Sequence, residues 1–272
     1  MAPRPEEIVA RRSPALLAIF DRLFTRFLGA HMRALRVPHW GMPPALPEAP
    51  LVVLANHPSW WDGVAFMLLS RRLFPDRPVF TPMEAASLAR YPFMRRLGVF
   101  GVEPGAARGA AAFLRTAEAV LRDPRHMLWM NLPGRFADPR ERPLPVAPGA
   151  VRLPELAPSA LVMPLALDYP FWTERAPEML AAFGPPVPAA DLLALDRTAR
   201  ATRLGALVER VMDRLAEDAI ARDPARFRVV VQGREGMGGI YQSWRRLRAA
   251  LRGERFDPRH DPRQDAHGAR TG

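Results

Sequence analysis

The stretch LVVLANHPSWWDG, residues 51–63, contains a strand, a turn and the start of a helix. Its first five residues form an apolar run between Pro50 and the turn at Pro58, and their length and Leu/Val content predict a buried strand rather than a helix. Pro58 and Ser59 then turn the chain, Ser59 being a good helix-capping residue, and residues 60–70 continue as an apolar helix. His57 falls at the strand tip and Asp62 in the first helical turn. An imidazole and a carboxylate five positions apart cannot share a face of one continuous strand, whereas a strand-turn-helix corner folds the carboxylate back onto the ring. Asp62 then keeps one ring nitrogen protonated and leaves the other to take a proton from a hydroxyl. The same two residues also fit a structural histidine beside an Asp that complements the helix dipole.

The chain on either side sets the fold class. Residues 77–81 read as a second strand, 83–97 as short helical turns broken by Pro92, and 97–102 as a third strand. An Ala-rich helix over 106–122 and a fourth strand over 126–130 follow. Strands alternating with helices at this spacing predict βαβ units, hence an α/β fold with a mostly parallel sheet flanked by helices. A site at the carboxyl end of a parallel strand is where such folds place their chemistry. Beyond this, 138–148 reads as a surface loop, 161–167 as a strand, 169–175 with 178–183 as a β-pair, 192–222 as a long helical region, and 226–232 as a strand. Upstream, Leu16, Ile19, Phe20, Leu23, Phe24, Phe27 and Leu28 recur at helical spacing among Asp21, Arg22, Arg26 and Arg33. This predicts an N-terminal amphipathic helix, with 37–50 as a Pro-rich connector. The expected division is 1–49 for helix and connector, 50–256 for one α/β domain, and 257–272 for a disordered polar tail.

Residues 56–62, Asn-His-Pro-Ser-Trp-Trp-Asp, resemble the NHxxxxD motif of the glycerolipid and lysophospholipid acyltransferases. The resemblance implies that His57 is the general base, that Asp62 orients it, and that the acyl donor is a thioester. Donor and acceptor are thus an acyl-CoA or an acyl-carrier protein on one side and a lipid hydroxyl on the other. No cofactor and no metal are expected. Two further segments resemble family motifs and depart from them. Where the family carries Gly-x-x-Phe-x-x-Arg, whose Arg holds the acceptor's phosphate, this chain has Gly98 to Pro104 with Glu103 or Pro104 at the Arg place. A carboxylate suits hydroxyls better than a phosphate, so Glu103 favours an acceptor uncharged at that point, such as a glycolipid or isoprenoid glycoside; a lysophospholipid-like acceptor is the other expectation, with Arg95, Arg96 or Arg135 binding its phosphate instead. In the second segment, Asn131-Leu132-Pro133-Gly134-Arg135-Phe136 stands where Pro-Glu-Gly-Thr-Arg is usual. Gly134 and Arg135 are its candidate substrate-binding residues, and Arg135 or the amides after Ser59 are candidates for stabilising an oxyanion.

Composition narrows the alternatives. All 39 basic residues are Arg, against 28 acidic ones, for a formal net charge of +11. Such an excess favours anionic partners, here an anionic membrane surface. No nucleic-acid-binding motif accompanies the charge, and nucleic acid is not an expected partner. With no Cys there is neither a disulfide framework nor a thiolate nucleophile. No stretch reaches the roughly 20 apolar residues that a membrane span requires. The N-terminal helix reads equally as packed on the domain or as lying in a lipid interface. The glycines at Gly233, Gly236, Gly238 and Gly239 match no phosphate-binding pattern, and 240–252 reads as a basic amphipathic helix carrying Trp244. Together these place the protein peripherally on the cytoplasmic face of an inner membrane. A non-catalytic lipid-binding homologue is the alternative reading of the two motif departures.

Overall fold

The computed structural model describes residues 5–233. The expected glycine-rich connection beyond Gly233, the basic helix over 240–252 and the tail over 257–272 lie outside the described residues. Helices α1 (Pro5–Ala10) and α2 (Pro14–His31) lead to β1 (Ala34–Pro38). There follow β2 (Leu51–Ala55), α3 (Asp62–Leu73), β3 (Val79–Glu84), α4 (Ala85–Arg90), β4 (Val99–Val102), α5 (Ala107–Leu121) and β5 (Met127–Asn131). Next come α6 (Pro148–Leu156), β6 (Leu161–Asp168), β7 (Met179–Phe183), β8 (Val187–Pro188), α7 (Ala189–Leu193), α8 (Arg197–Ala221) and β9 (Phe227–Gln232).

The strands form one sheet in the order β4-β3-β5-β2-β6-β7-β1-β9, with β8 paired to β6 off this path. From β4 to β6 all neighbours are parallel. β7 runs antiparallel to β6, β1 parallel to β7, and β9 antiparallel to β1. The architecture is the expected α/β one, with an N-terminal helix. β2 is central, between β5 and β6, and helices cover both its faces, which is why it reads as a continuous apolar run rather than an alternation. Val52 and Leu54 pack with Phe113, Ala117 and Val120 of α5 and with Leu204, Val208 and Val211 of α8. Leu51, Val53 and Ala55 pack on the other face with Val64, Leu68 and Leu69 of α3 and Leu28 of α2.

α1, α6 and β8 have no counterpart in the sequence-based expectation, and three expected elements differ from it. The connector assigned to 37–50 begins as a strand: α2 stops at His31, and β1 pairs with β9, Ala34 opposite Gln232. A pairing partner nearly 200 positions away leaves no local pattern. Residues 169–175 are not a strand, and the expected β-pair does not form. β7 takes β6 and β1 as partners instead, while Glu178 N–H donates to the Pro170 carbonyl at 2.9 Å to close the intervening loop. The helix expected from Trp60 starts at Asp62, because the Ser59 hydroxyl accepts from Trp61 N–H at 3.2 Å and completes a tight turn first.

Gly98, between residues 92–97 and β4, holds φ 93°. A Cβ there would lie 2.4 Å from the Val79 carbonyl oxygen of β3. Gly98→Ala therefore strains the backbone and presses β3 away from its start, and is expected to destabilise the fold by about 2–3 kcal/mol. A urea midpoint equal to that of the parent protein would show that β3 yields without loss.

Candidate active site

His57 leaves the carboxyl end of β2 and is held there from both sides. Asn56, 1% exposed, donates through Nδ2 to the Leu167 carbonyl at 2.9 Å and accepts from Leu167 N–H at 2.8 Å, tying the tip of β2 to β6. Toward β5, Leu132 N–H donates to the Ala55 carbonyl at 2.7 Å, and Ala137 N–H to the His57 carbonyl at 2.9 Å. Asn56 thus plays a structural part, satisfying buried backbone at a place where the ladder ends.

The turn over residues 58–61 returns Asp62 to the ring. Its Oδ2 accepts from His57 Nδ1 at 2.5 Å and stands 3.4 Å from Ser59 N–H. Its Oδ1 accepts from the Tyr169 hydroxyl at 2.7 Å. An ionised carboxylate only accepts, so the contact assigns the proton to Nδ1 and leaves Nε2 with a free lone pair. The Asp62 side chain is 1% exposed and the His57 side chain 20%. A buried orienting charge behind a partly exposed imidazole is the arrangement of a general base. Burial, and after it the charge of Asp62, pushes the Tyr169 hydroxyl well above its ordinary range, so it stays protonated and donates. Phe136 stacks on the other side of the imidazole with ring centroids 4.2 Å apart, although the residue itself is 59% exposed.

Of the remaining sequence candidates, Gly134 holds φ 67° in the turn after β5, the left-handed conformation that favours glycine. Arg135 lies beside Phe136, but its guanidinium donates to Glu141 and, at 2.9 Å, to the Phe136 carbonyl, so it is already engaged within its own loop. The amides of Ser59, Trp61 and Asp62 are likewise directed to partners inside the turn. Glu103 follows β4, three strands from β2, about 14 Å away at the usual strand spacing. It is exposed and carries a salt bridge from Arg108 at 3.3 Å, so it is not the bare carboxylate expected from sequence. A Cβ at Gly109 would lie 2.0 Å from the Glu103 carbonyl oxygen, so the backbone after β4 depends on a glycine there. Sequence reasoning passed over Tyr169, whose partner lies 107 positions upstream, and Phe136, which it quoted only as part of a motif.

Among the described residues, no cluster of three or more His, Asp or Glu is arranged to hold a metal ion. Residues 37–168 match the family described as Acyltransferase. The match runs from β1 to the end of β6 and contains His57, Asp62, Glu103, Gly134 and Arg135. No curated protein matches the sequence. The match over residues 37–168 is consistent with a member of the glycerolipid or lysophospholipid acyltransferases. The match supports acyl transfer to a lipid as the reaction class, and the matched family uses no cofactor beyond the acyl donor.

Proposed function

We propose that the protein transfers a fatty acyl group from an acyl-CoA or acyl-carrier thioester to a hydroxyl of a membrane lipid, with His57 as general base and Asp62 as its orienting partner. The 2.5 Å contact between a buried Asp62 and a partly exposed His57 carries this reading. His57 Nε2 takes the hydroxyl proton as the acceptor oxygen attacks the thioester carbonyl, and Asp62 stabilises the imidazolium. The tetrahedral intermediate expels the thiolate, which recovers that proton from His57 and leaves as the thiol. No side-chain nucleophile is required. Phe136 covers one side of the ring and helps to keep water from competing with the acceptor.

The acceptor's polar end would meet Glu103 and Arg108 together. A pair that offers both an acceptor and donors suits a hydroxyl-rich head group, and Arg108 offsets the repulsion that a lone Glu103 would impose on a phosphate. Incubating purified protein with labelled palmitoyl-CoA and membrane-extracted lipids, then identifying the acylated product by mass spectrometry, tests both halves of the proposal. A neutral glycolipid product is expected. Lysophosphatidate converted far faster, with no gain from Glu103→Arg, would overturn the acceptor assignment. Release of no thiol with any lipid would leave a non-catalytic lipid-binding homologue.

For location, we propose peripheral attachment to the cytoplasmic face of an inner membrane. Among the described residues, no helix is long and apolar enough to cross a membrane. α2 leaves Ile19 and Leu23 half-exposed, and Phe20 stacks on the partly exposed Phe93 at 4.9 Å. Farther along the same helix, Phe27 meets the exposed Trp60, three residues from His57, with centroids 6.1 Å apart. An aromatic surface beside Arg22 and Arg26 suits the boundary of an anionic bilayer. The protein is expected to sediment with anionic vesicles and to be released by high salt or alkali. Sedimentation equal on neutral and anionic vesicles, and unmoved by salt, would count against the charge contribution.

A further inference from the structure

Asp62 has two carboxylate oxygens inside the protein, and the base uses one of them. The other, Oδ1, takes its hydrogen bond from Tyr169 at 2.7 Å. Tyr169 lies one position past the segment that matches the family, directly after β6. We propose that Tyr169 is a positioning residue: its hydroxyl holds the carboxylate of Asp62 at the rotation that presents Oδ2 to His57. This rests on the acyl-transfer reading, because it assumes that His57 is the base being served.

Three observations carry the inference. First, the terminal torsion of an aspartate is broad and roughly two-fold, so the contacts of Oδ2 alone, from His57 and the more distant Ser59 amide, do not fix the plane of the carboxylate. A second donor on the opposite oxygen does. Second, Asp62 is 1% exposed, so water is a poor substitute, and a buried carboxylate oxygen without a donor is costly. Third, the donor itself is anchored. Tyr169 N–H donates to Asp168 Oδ1 at 2.8 Å, and two positions earlier Leu167 is tied to Asn56 by a pair of hydrogen bonds. The tip of β6 is therefore joined to the His57 corner twice, once through backbone and once through the hydroxyl. Tyr169 reaches the imidazole only through the carboxylate of Asp62, which is why its role is to position rather than to react.

Tyr169→Phe tests this, because it removes the hydroxyl and keeps the ring. With palmitoyl-CoA and extracted lipids, kcat is expected to fall about tenfold with KM for palmitoyl-CoA unchanged, the usual scale for losing one hydrogen bond to a charged group. In an Asp62→Asn background the same change should cost little more, since both act through one contact. A readout without substrate accompanies these: the proton shared by His57 Nδ1 and Asp62 gives a far-downfield NMR resonance, assigned by its loss in His57→Ala, and Tyr169→Phe should shift or broaden it. An unmoved resonance overturns the proposal, as do unchanged kcat or losses that add fully in the double variant. A variant that loses thermal stability while its resonance stays in place also overturns it, by reducing Tyr169 to packing. Should His57→Ala retain turnover, the assignment of His57 as the base fails on its own, and the resonance still reports whether Tyr169 fixes Asp62.

Discussion

His57→Ala is expected to lower acyl transfer by about 10²–10⁴-fold, the usual worth of a positioned general base. The fold should survive it. The His57 backbone is held by the Ala137 amide and, through Asn56, by β6, and neither contact uses the imidazole. The ring is partly exposed, so its removal opens little buried space. A circular-dichroism spectrum close to that of the parent protein should therefore accompany the lost turnover, with a urea midpoint lowered by the hydrogen bond that the buried Asp62 Oδ2 loses. Near-normal thiol release from palmitoyl-CoA by a folded His57→Ala protein would remove His57 from the mechanism.

The largest effect on stability is expected far from that corner, at Glu178. This carboxylate is fully buried between two arginines, with Arg33 Nη1 at 3.2 Å from Oε1 and Arg36 Nε at 2.9 Å from Oε2, and both guanidinium groups are themselves buried. Arg36 also lies over the Trp172 ring at 5.9 Å. Removing one member of a buried ion pair strands the other charge without solvent or counter-ion, which costs about 3–5 kcal/mol. Glu178→Ala strands two. Loss of that order is expected in urea denaturation, with release of β1 from β7 as its first step. Replacing Arg33, Arg36 and Glu178 together by apolar residues of similar volume should restore much of the stability, because none of these three charges then remains buried. A Glu178→Ala midpoint within error of the parent would mean that water reaches the two guanidinium groups.

These two sites differ in how far they can be read along the chain. The corner at residues 51–63 is local: an apolar run, a proline turn and a helix start fix the approach of His57 and Asp62, whose bond spans five positions. Local periodicity likewise gives β3, β4, β5, β6 and the long helix α8 to within a few residues. The buried ion cluster is a different case, because Arg36 and Glu178 are 142 positions apart. Arg33 and Arg36 beside a helix look from sequence like a solvated end, and Glu178 like the edge of a β-pair. Only the pairing of β1 with β7 brings them together and takes them out of water.

Composition and local pattern were therefore enough to establish an α/β chain, a strand-turn-helix corner and a His–Asp pair at a parallel strand's carboxyl end, since all of these depend on torsions and periodicities within a few residues. Strand order, the switch to antiparallel pairing at β7 and the hydrogen bond from Tyr169 to Asp62 came from the folded arrangement. Each depends on contacts across a sheet or between loops. A side chain's partner there is set by which strands become neighbours, and short stretches of sequence do not encode that separately from the packing of the whole domain.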